Sequence, residues 1–149
     1  MQRNTTIVVL TIFLICLGTL IATAQTDEQR IKDVITSAYV NGIQNAGSVQ
    51  DIDTGFHPSF ELITLGKDSS TVSLLPIYTW REMVRQSKEA GKTPAVKTEC
   101  KFLSIDITGA AAVAKIELYR EGKLIFTDYL SLYKFREGWR IVSKIFHRH

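Results

Sequence analysis

The sequence predicts an α+β domain in which helices gather on one face of an antiparallel sheet. Two observations support this class. Apolar residues recur at helical spacing over residues 26–47 and 76–91, and from Thr98 onward segments of alternating polarity are separated by glycine turns. Helices that cover one face of such a sheet define the α+β class.

Three helices are expected in the first part of this domain. Thr26 can cap the first helix, with Gln29 as its capping-box partner, and the helix is expected to end near Gly47. Its buried stripe recurs at i, i+3, i+4, i+7, i+8 and i+11. The residues of this stripe are Ile31, Val34, Ile35, Ala38, Tyr39 and Gly42. A second, short helix can start at Ser48, and a third is predicted between Pro76 and Gly91, because proline suits a first turn and glycine a stop.

Strands are expected next. One is predicted around residues 60–65, and four long antiparallel strands are predicted near 98–107, 111–119, 123–135 and 139–147. Glycines at 109, 122 and 138 suit three-residue loops that a left-handed residue closes. Such loops would pair Ile107 with Ala111, Tyr119 with Lys123 and Phe135 with Trp139.

This register places a carboxylate in the middle of the sheet. Counting back from the loops puts Asp128 opposite Ala114 on one neighbouring strand and opposite Phe146 on the other. Lys144 then lies diagonally across from Asp128. A one-residue slip at the last turn would put Asp128 opposite His147 instead.

The two faces of the sheet are predicted to have different roles. The face of Asp128 is expected to line a pocket, because small alanines beside an inward carboxylate leave space within an apolar lining. This face also carries Phe102, Ser104, Asp106, Ala112, Ile116, Phe126 and Val142. The opposite face carries Leu103, Ile105, Tyr129, Tyr133, Phe135, Trp139, Ile141 and Ile145. It is too apolar to face water, so we expect a homodimer through the part that bears Tyr129, Tyr133 and Trp139.

The first 24 residues have the pattern of a signal peptide. Arg3 precedes an apolar run of sixteen residues, and Ala22 and Ala24 supply the small side chains needed for cleavage before Gln25. Retention as an anchor is the alternative, but sixteen helical residues span about 24 Å, less than the ~30 Å of a hydrocarbon core. We therefore expect export to the periplasm or the exterior.

The remaining residues, 25–149, are long enough for one domain. The full chain has 18 Lys and Arg against 15 Asp and Glu, a net charge of +3, which is a poor basis for binding nucleic acid. After cleavage only Cys100 would remain of the two cysteines, which allows no intrachain disulfide. The stability of the domain must therefore come from its hydrophobic core.

No motif in the chain predicts a cofactor or a metal. Glycine-rich dinucleotide and phosphate-binding motifs do not occur. His147 and His149 have a chelating spacing, but they lie at the C-terminus without a third ligand, and metal sites need three or four.

Six short segments spread over residues 28–147 fall in the order found in one family. They are Tyr39-Val40-Asn41-Gly42, Gly55-Phe56-His57-Pro58, Leu75-Pro76-Ile77-Tyr78-Thr79-Trp80, Ile105-Asp106-Ile107-Thr108-Gly109, Asp128-Tyr129-Leu130-Ser131-Leu132 and Trp139-Arg140-Ile141-Val142-Ser143-Lys144. The sequence thereby resembles the putative lumazine-binding family of the nuclear-transport-factor-2-like superfamily, which includes ketosteroid isomerases and scytalone dehydratases. The resemblance implies a cone-shaped fold, with a curved sheet wrapped around N-terminal helices, an internal cavity and a common dimeric state. It does not imply an activity, because this superfamily hosts enzymes, binders and scaffolds.

Three functions remain open at this point. The first is an exported domain that binds a small apolar or aromatic molecule in an apolar cavity. The second is an isomerase or dehydratase in which Asp128 is the base and His57 or Tyr39 is the proton donor. The third is a dimeric protein-interaction module with a vestigial cavity. The superfamily's acid–base constellation is not matched residue for residue, so the sequence favours binding over catalysis.

The candidate ligand-binding residues are aromatic or charged side chains expected to face the cavity. They are Tyr39, His57, Phe60, Trp80, Phe102, Asp128, Lys144 and Phe146. The aromatic members could stack on a flat ligand or simply form core. An ion pair between Asp128 and Lys144 would hold the carboxylate ionised and reduce its strength as a base.

Overall fold

A computed structural model describes residues 25–149, in which three helices pack against a curved, unclosed sheet of six strands. The α+β class is confirmed. The predicted signal peptide, residues 1–24, lies outside the described residues. Within the described part of the chain, no helix is long and apolar enough to cross a membrane.

The helices begin where the sequence predicts. Helix α1 (Asp27–Val34) is capped by Thr26, whose hydroxyl accepts a hydrogen bond of 3.2 Å from the backbone N–H of Gln29. It continues without a break as a π-helical segment (Ile35–Gln44), which the sequence pattern did not predict. Helix α2 (Val49–Gly55) is capped by Ser48. Helix α3 (Ile77–Glu89) follows Pro76.

The sheet is mixed. Its strands are β1 (Phe56–Leu65), β2 (Val72–Pro76), β3 (Glu99–Thr108), β4 (Ala111–Arg120), β5 (Lys123–Phe135) and β6 (Gly138–Arg148). Their order is β2-β1-β6-β5-β4-β3. The pairing of β1 with β6 is parallel, and the other four pairings are antiparallel, which corrects the expectation of an antiparallel sheet. Strand β2, an edge strand, was not predicted.

The turns between the long strands are one residue shorter than expected. Their closing pairs are Thr108 with Ala111, Arg120 with Lys123 and Phe135 with Gly138. Each turn therefore holds two residues. In the middle turn Glu121 and Gly122 have φ values of 51° and 72°, as a type I′ turn requires at both central positions.

Among the four long strands β3 to β6, each neighbouring pair has one β-bulge, which changes the residue pairing beyond it. In the β5–β6 pair, a bulge next to Leu132 cancels the shorter turn, so Asp128 lies opposite Phe146 as predicted, and not opposite His147. In the β4–β5 pair, the bulge adds to the shorter turn. Asp128 therefore lies opposite Ile116 rather than Ala114, a shift of two residues that keeps the same face.

The shorter turns also change the predicted faces of residues that lie between a turn and a bulge. The turn before β4 puts Ile105 opposite Ala114 on the helix-covered face and moves Asp106 to the outer face opposite Val113, and the bulge in β3 returns Phe102 to its predicted partner Ile116. Ser104 moves with Asp106 and lies opposite Lys115.

Trp139 does not belong to the outer face that we expected to dimerise. Its side chain is only 3% exposed, and its indole N–H donates a hydrogen bond of 3.1 Å to Asp27 of α1. Lys134, directly opposite Trp139, forms a 2.8 Å ion pair with the same carboxylate. These contacts attach the start of β6 to α1.

The core fills the space between the helices and the concave, helix-covered face of the sheet. It is built mainly from aliphatic side chains of the first helix and of β4, β5 and β6. Gly55 marks the tightest contact, because a Cβ there would lie 2.3 Å from the Cβ of Ala38. Glycine at this position lets α2 lie directly against the π-helical segment.

Candidate functional site

A cluster of three buried polar side chains lies within this core. Asp128 and Tyr39 are 0% exposed, and Lys144 is 4% exposed. The Tyr39 hydroxyl donates a hydrogen bond of 2.5 Å to Oδ2 of Asp128, and Nζ of Lys144 lies 2.9 Å from Oδ1. The Lys144 contact is an ion pair rather than a well-aligned hydrogen bond. We call Tyr39, Asp128 and Lys144 the buried triad.

Regular backbone holds each member of the triad. Asp128 lies in the middle of β5, paired on both sides by β4 and β6. Lys144 lies on β6 opposite Leu130, which is the next residue after Asp128 on the same face of β5. Tyr39 comes from the π-helical segment, 89 residues earlier in the chain than Asp128. The site is therefore positioned by three elements of the core.

Gln44 fixes the direction of the hydrogen bonds around Tyr39. Its side-chain amide donates a bond of 3.0 Å to the Tyr39 hydroxyl oxygen. The single proton of that hydroxyl is then free to bond with Asp128. Gln44 was not among the predicted site residues, because the helical pattern in the sequence gave no indication of a π-helix.

Burial dominates the electrostatics of the triad. It raises the pKa of Asp128 above its ordinary value, while the Lys144 ammonium and the Tyr39 hydroxyl act in the opposite direction. Burial likewise lowers the pKa of Lys144, and Asp128 opposes that change. The pKa of Tyr39 is raised well above its usual value, first by burial and then by the adjacent carboxylate, so the phenol keeps its proton.

The Lys144 ammonium is also surrounded by aromatic rings. Its Nζ lies 4.2 Å from the ring centroid of Phe146, 5.4 Å from that of Tyr39 and 6.0 Å from that of Phe126. These distances are within the range of cation–π attraction. Phe126 and Phe146 meet edge to face at 5.4 Å and are half-buried. We call Tyr39, Phe126 and Phe146 the aromatic cage.

Most of the other predicted site residues lie near the triad or on its face. Trp80 packs 6.0 Å from Tyr39, and Phe60 stacks against Trp80 at 6.3 Å. Phe102 is half-buried opposite Ile116, the residue that also pairs with Asp128. These positions place aromatic surface around the buried polar groups.

His57, which we expected to face the cavity, does not lie beside the buried triad. Its ring stacks on Phe135 at 4.6 Å with an interplanar angle of 8°, on the outer side of the sheet. Its Nδ1 is 2.6 Å from the Ser59 hydroxyl, two residues further along β1. The strand alternates, so the residue after buried Phe56 points away from the core.

Cys100 is half-buried on β3 opposite Leu118. Burial raises the pKa of its thiol to about 12, so the thiolate that a nucleophile needs is scarce at neutral pH. Within residues 25–149 there is no group of three or more His, Cys, Asp or Glu side chains that could hold a metal.

Four surface pockets of about 220–330 Å³ lie outside the triad. The pocket between α2 and α3 is about 310 Å³ and is lined by Ile52, Asp53, Phe56, Pro58, Ile77, Tyr78 and Arg81. None of these four pockets is lined by Tyr39, Asp128 or Lys144. The triad itself is enclosed. The half-buried rings of Phe126 and Phe146 lie beside its Lys144 ammonium.

Solved structures similar to this one include NTF2-like proteins. One from Shewanella baltica OS155, of unknown function, is 23% identical over 85% of this chain and 98% of its own, with a TM-score of 0.64. Another of unknown function, from Methylobacillus flagellatus KT, is 23% identical over 85% of this chain and 96% of its own, with a TM-score of 0.59. A similarity at this level of identity establishes an NTF2-like fold.

The sequence family is more specific. The profile of the putative lumazine-binding family matches residues 26–147, so the chain belongs to that family. Comparison with curated proteins found no match.

Proposed function

We propose that the protein binds a flat aromatic or heteroaromatic small molecule on the helix-covered face of the sheet, beside the buried triad. The observation that carries this proposal is the fully buried pair of Asp128 and Lys144. Burying two charges costs several kcal/mol per ion, and apolar side chains of similar volume often stabilise a core as well or better. The pair is therefore better explained by recognition than by stability.

The surroundings of the pair suit a flat ligand. Binding sites combine a mostly apolar, aromatic lining with a few polar groups that fix orientation. The half-buried rings of Phe126 and Phe146 lie against the Lys144 ammonium, and half-buried Phe102 lies two strands from Asp128 on the same face of the sheet. A lumazine, the ligand in the family's description, has both a flat ring system and a polar edge of carbonyl and N–H groups.

The geometry supports binding better than proton abstraction by Asp128. One of its oxygens accepts the Tyr39 hydroxyl proton and the other contacts the Lys144 ammonium. Both interactions favour the charged carboxylate and oppose its protonation. Burial still raises the pKa of Asp128 in spite of them. However, both of its oxygens are already engaged and none of the four surface pockets is lined by Asp128, so we assign the carboxylate a binding role.

Tryptophan fluorescence offers a direct test of the proposal. Trp80 lies near the triad, whereas Trp139 lies at the far end of β6 against α1. Titration with 6,7-dimethyllumazine should give saturable quenching in the wild type and in Trp139→Phe, and much weaker quenching in Trp80→Phe.

A pair of variants localises the binding. Phe126→Ala should weaken affinity about tenfold by removing a half-buried aromatic contact and its buried area. Tyr129→Ala, on the outer face, should leave affinity unchanged. Quenching that is linear in ligand concentration, or equally weakened by both substitutions, would refute the proposal.

We also propose that the domain acts outside the cytoplasm after removal of residues 1–24. The support is the signal-peptide pattern of Arg3, the apolar run and Ala22 and Ala24. Amino-terminal sequencing of protein recovered from its own cell should read from Gln25. Recovery of the uncleaved chain in the membrane fraction would instead indicate an anchor.

A homodimer through the outer face is the third part of the proposal. This face exposes large apolar side chains, including Tyr133 and Ile145, each 52% exposed, and Tyr129, 40% exposed. Such a patch commonly marks an interface. Sedimentation should give a dimer that Tyr133→Glu dissociates, and a wild-type monomer at high concentration would contradict it.

A further inference from the structure

The ammonium of Lys144 has more hydrogen-bonding capacity than its surroundings use. It carries three N–H donors. Within residues 25–149 its one close oxygen partner is Oδ1 of Asp128 at 2.9 Å, and its other near neighbours are ring faces. The side chain is 4% exposed, so water has little access to it.

Phe146, the residue opposite Asp128 on β6, also covers this ammonium. Its ring centroid is the nearest of the three, at 4.2 Å from Nζ, and the ring is half-buried. Rotation of this one side chain would therefore expose the unused donors. A ligand ring that took the place of the Phe146 ring would bring its own substituents next to Nζ.

The positive charges near Phe146 favour an anionic ligand over a cationic one. Arg148 lies over the other ring of the pair, with Cζ 5.2 Å from the centroid of Phe126. The carboxylate of Asp128 is engaged by Tyr39 and by Lys144 itself. A cationic ligand would meet two positive groups and an aromatic cage already filled by an ammonium.

We propose that Lys144 is the recognition group for an acidic aromatic ligand, whose anionic edge binds the ammonium while its ring replaces Phe146 in the cage. This inference rests on the proposed function and specifies the chemical class of the ligand. Phe146 is then a gate, and Lys144 determines specificity by charge. A neutral hydrocarbon of the same shape binds less tightly, because it leaves the donors of Lys144 unpaired.

Three naphthalene probes that share one ring system but differ in charge separate the effect of charge from that of ring stacking. They are 1-naphthoate, 1-naphthalenemethanol and 1-naphthylmethylammonium, titrated calorimetrically at constant ionic strength. The wild type should bind the carboxylate at least about tenfold more tightly than the alcohol, as expected for a hydrogen bond to a charged group. The ammonium probe should bind most weakly.

Variants assign the preference to Lys144. Asp128→Asn combined with Lys144→Met removes both charges, so no buried charge is left unpaired. The preference for the carboxylate should fall below about twofold, since the charged contact is gone, while affinity for the alcohol is kept. Lys115→Met is the matched control, because Lys115 lies 5.5 Å over the Tyr129 ring on the outer face, and it should keep the full preference.

Arg148→Met keeps the inference testable even if the double variant does not fold, since Arg148 is exposed at the end of β6. This variant should retain most of the preference for the carboxylate probe over the alcohol. Loss of that preference in Arg148→Met would overturn the role of Lys144. Binding of the alcohol without any charge preference in the wild type would overturn this inference alone. Failure of all three probes and of 6,7-dimethyllumazine to bind would overturn the proposed function as well.

Discussion

Replacing Lys144 with Met tests whether the buried carboxylate of Asp128 needs the charge of Lys144 for the stability of the fold. The substitution removes the counter-charge of Asp128 and leaves a carboxylate that is 0% exposed. Breaking a buried pair in this way costs about 3–5 kcal/mol. At roughly 4 °C per kcal/mol for a domain of this length, the melting temperature should fall by about 12–20 °C.

Removing both charges should cost far less than removing one. In the variant that combines Asp128→Asn with Lys144→Met, the Tyr39 hydroxyl can still donate to the amide oxygen at position 128. We expect this variant to lie within about 2 kcal/mol of the wild type. The coupling free energy between the two sites should therefore be at least about 1 kcal/mol, large for a double-mutant cycle.

The single variant should also acquire a characteristic pH dependence. Without the ammonium, only the Tyr39 hydroxyl still opposes the effect of burial, so the folded pKa of Asp128 rises further above the unfolded value of about 3.9. The unfolded state then binds fewer protons than the folded state in this range. The free energy of unfolding of Lys144→Met should fall as the pH rises from the unfolded to the folded pKa, and then level off.

The measurement is urea unfolding followed by tryptophan fluorescence and circular dichroism, at pH 5 and pH 8. The deficit of Lys144→Met relative to the wild type should be smaller at pH 5. A deficit under about 1 kcal/mol at pH 8 would show that the interior does not penalise a lone carboxylate. Additive effects in the double variant would likewise refute the coupling on which our interpretation of the triad depends.

Three further predictions concern single groups in the core. Tyr39→Phe should lower the free energy of unfolding by about 1.5–3 kcal/mol in urea titration, because it removes a hydrogen bond to the charged Asp128. Gly55→Ala should lower it by about 2–3 kcal/mol, because the new methyl would lie 2.3 Å from the Cβ of Ala38. Cys100 should react slowly with Ellman's reagent at pH 8 in the folded protein and rapidly in urea, because burial raises the thiol pKa to about 12.

Each of these has a control in the same chain. Tyr119→Phe removes a hydroxyl that donates to Glu117, which unlike Asp128 is only partly buried, and should cost under about 0.5 kcal/mol. Gly109→Ala meets no atom within 4 Å, although its φ of +58° should cost about 1 kcal/mol. Equal losses within either pair would contradict our explanation, as would native thiol reactivity equal to the unfolded rate.

Local patterns in the sequence were sufficient for most of the elements. Caps at Thr26 and Ser48, and the proline before α3, fixed where the helices begin, because these residues satisfy or tolerate unpaired backbone groups. The alternation of the four long strands was equally clear. Sequence patterns did not reveal β2, whose five residues are mostly exposed and show no buried stripe.

Register was harder to predict because turn length and bulges each change it by one residue. Asp128 was placed correctly opposite Phe146 only because two such changes cancel between β5 and β6. Trp139 lies between the turn and the bulge, where only the shorter turn has changed the register. It was therefore assigned to the wrong face. Bulges carry no clear signature in this sequence, so the two faces of a strand could not be assigned near them.

Of the site, the sequence identified the charged pair and its aromatic surroundings but not the hydrogen bonds. Tyr39, Asp128 and Lys144 were selected because their spacing puts them on inward faces. Gln44 escaped detection because it reaches Tyr39 through a π-helical geometry, in which the fifth residue along shares a side. His57 was expected to face the cavity because the neighbouring proline and turn hide the alternation of β1.

The parallel pairing of β1 with β6 has a consequence for how the chain acquires its structure. Leu62 pairs with Lys144, so the centre of the sheet joins residues from opposite ends of the domain. Contacts of such long sequence separation form slowly, because the intervening loop must be closed before they contribute. During synthesis the sheet cannot be completed until the last strand has left the ribosome. The sheet of a nascent chain therefore stays incomplete until β6 has been made, and a truncation within β6 weakens the pairing with β1 and with β5 together.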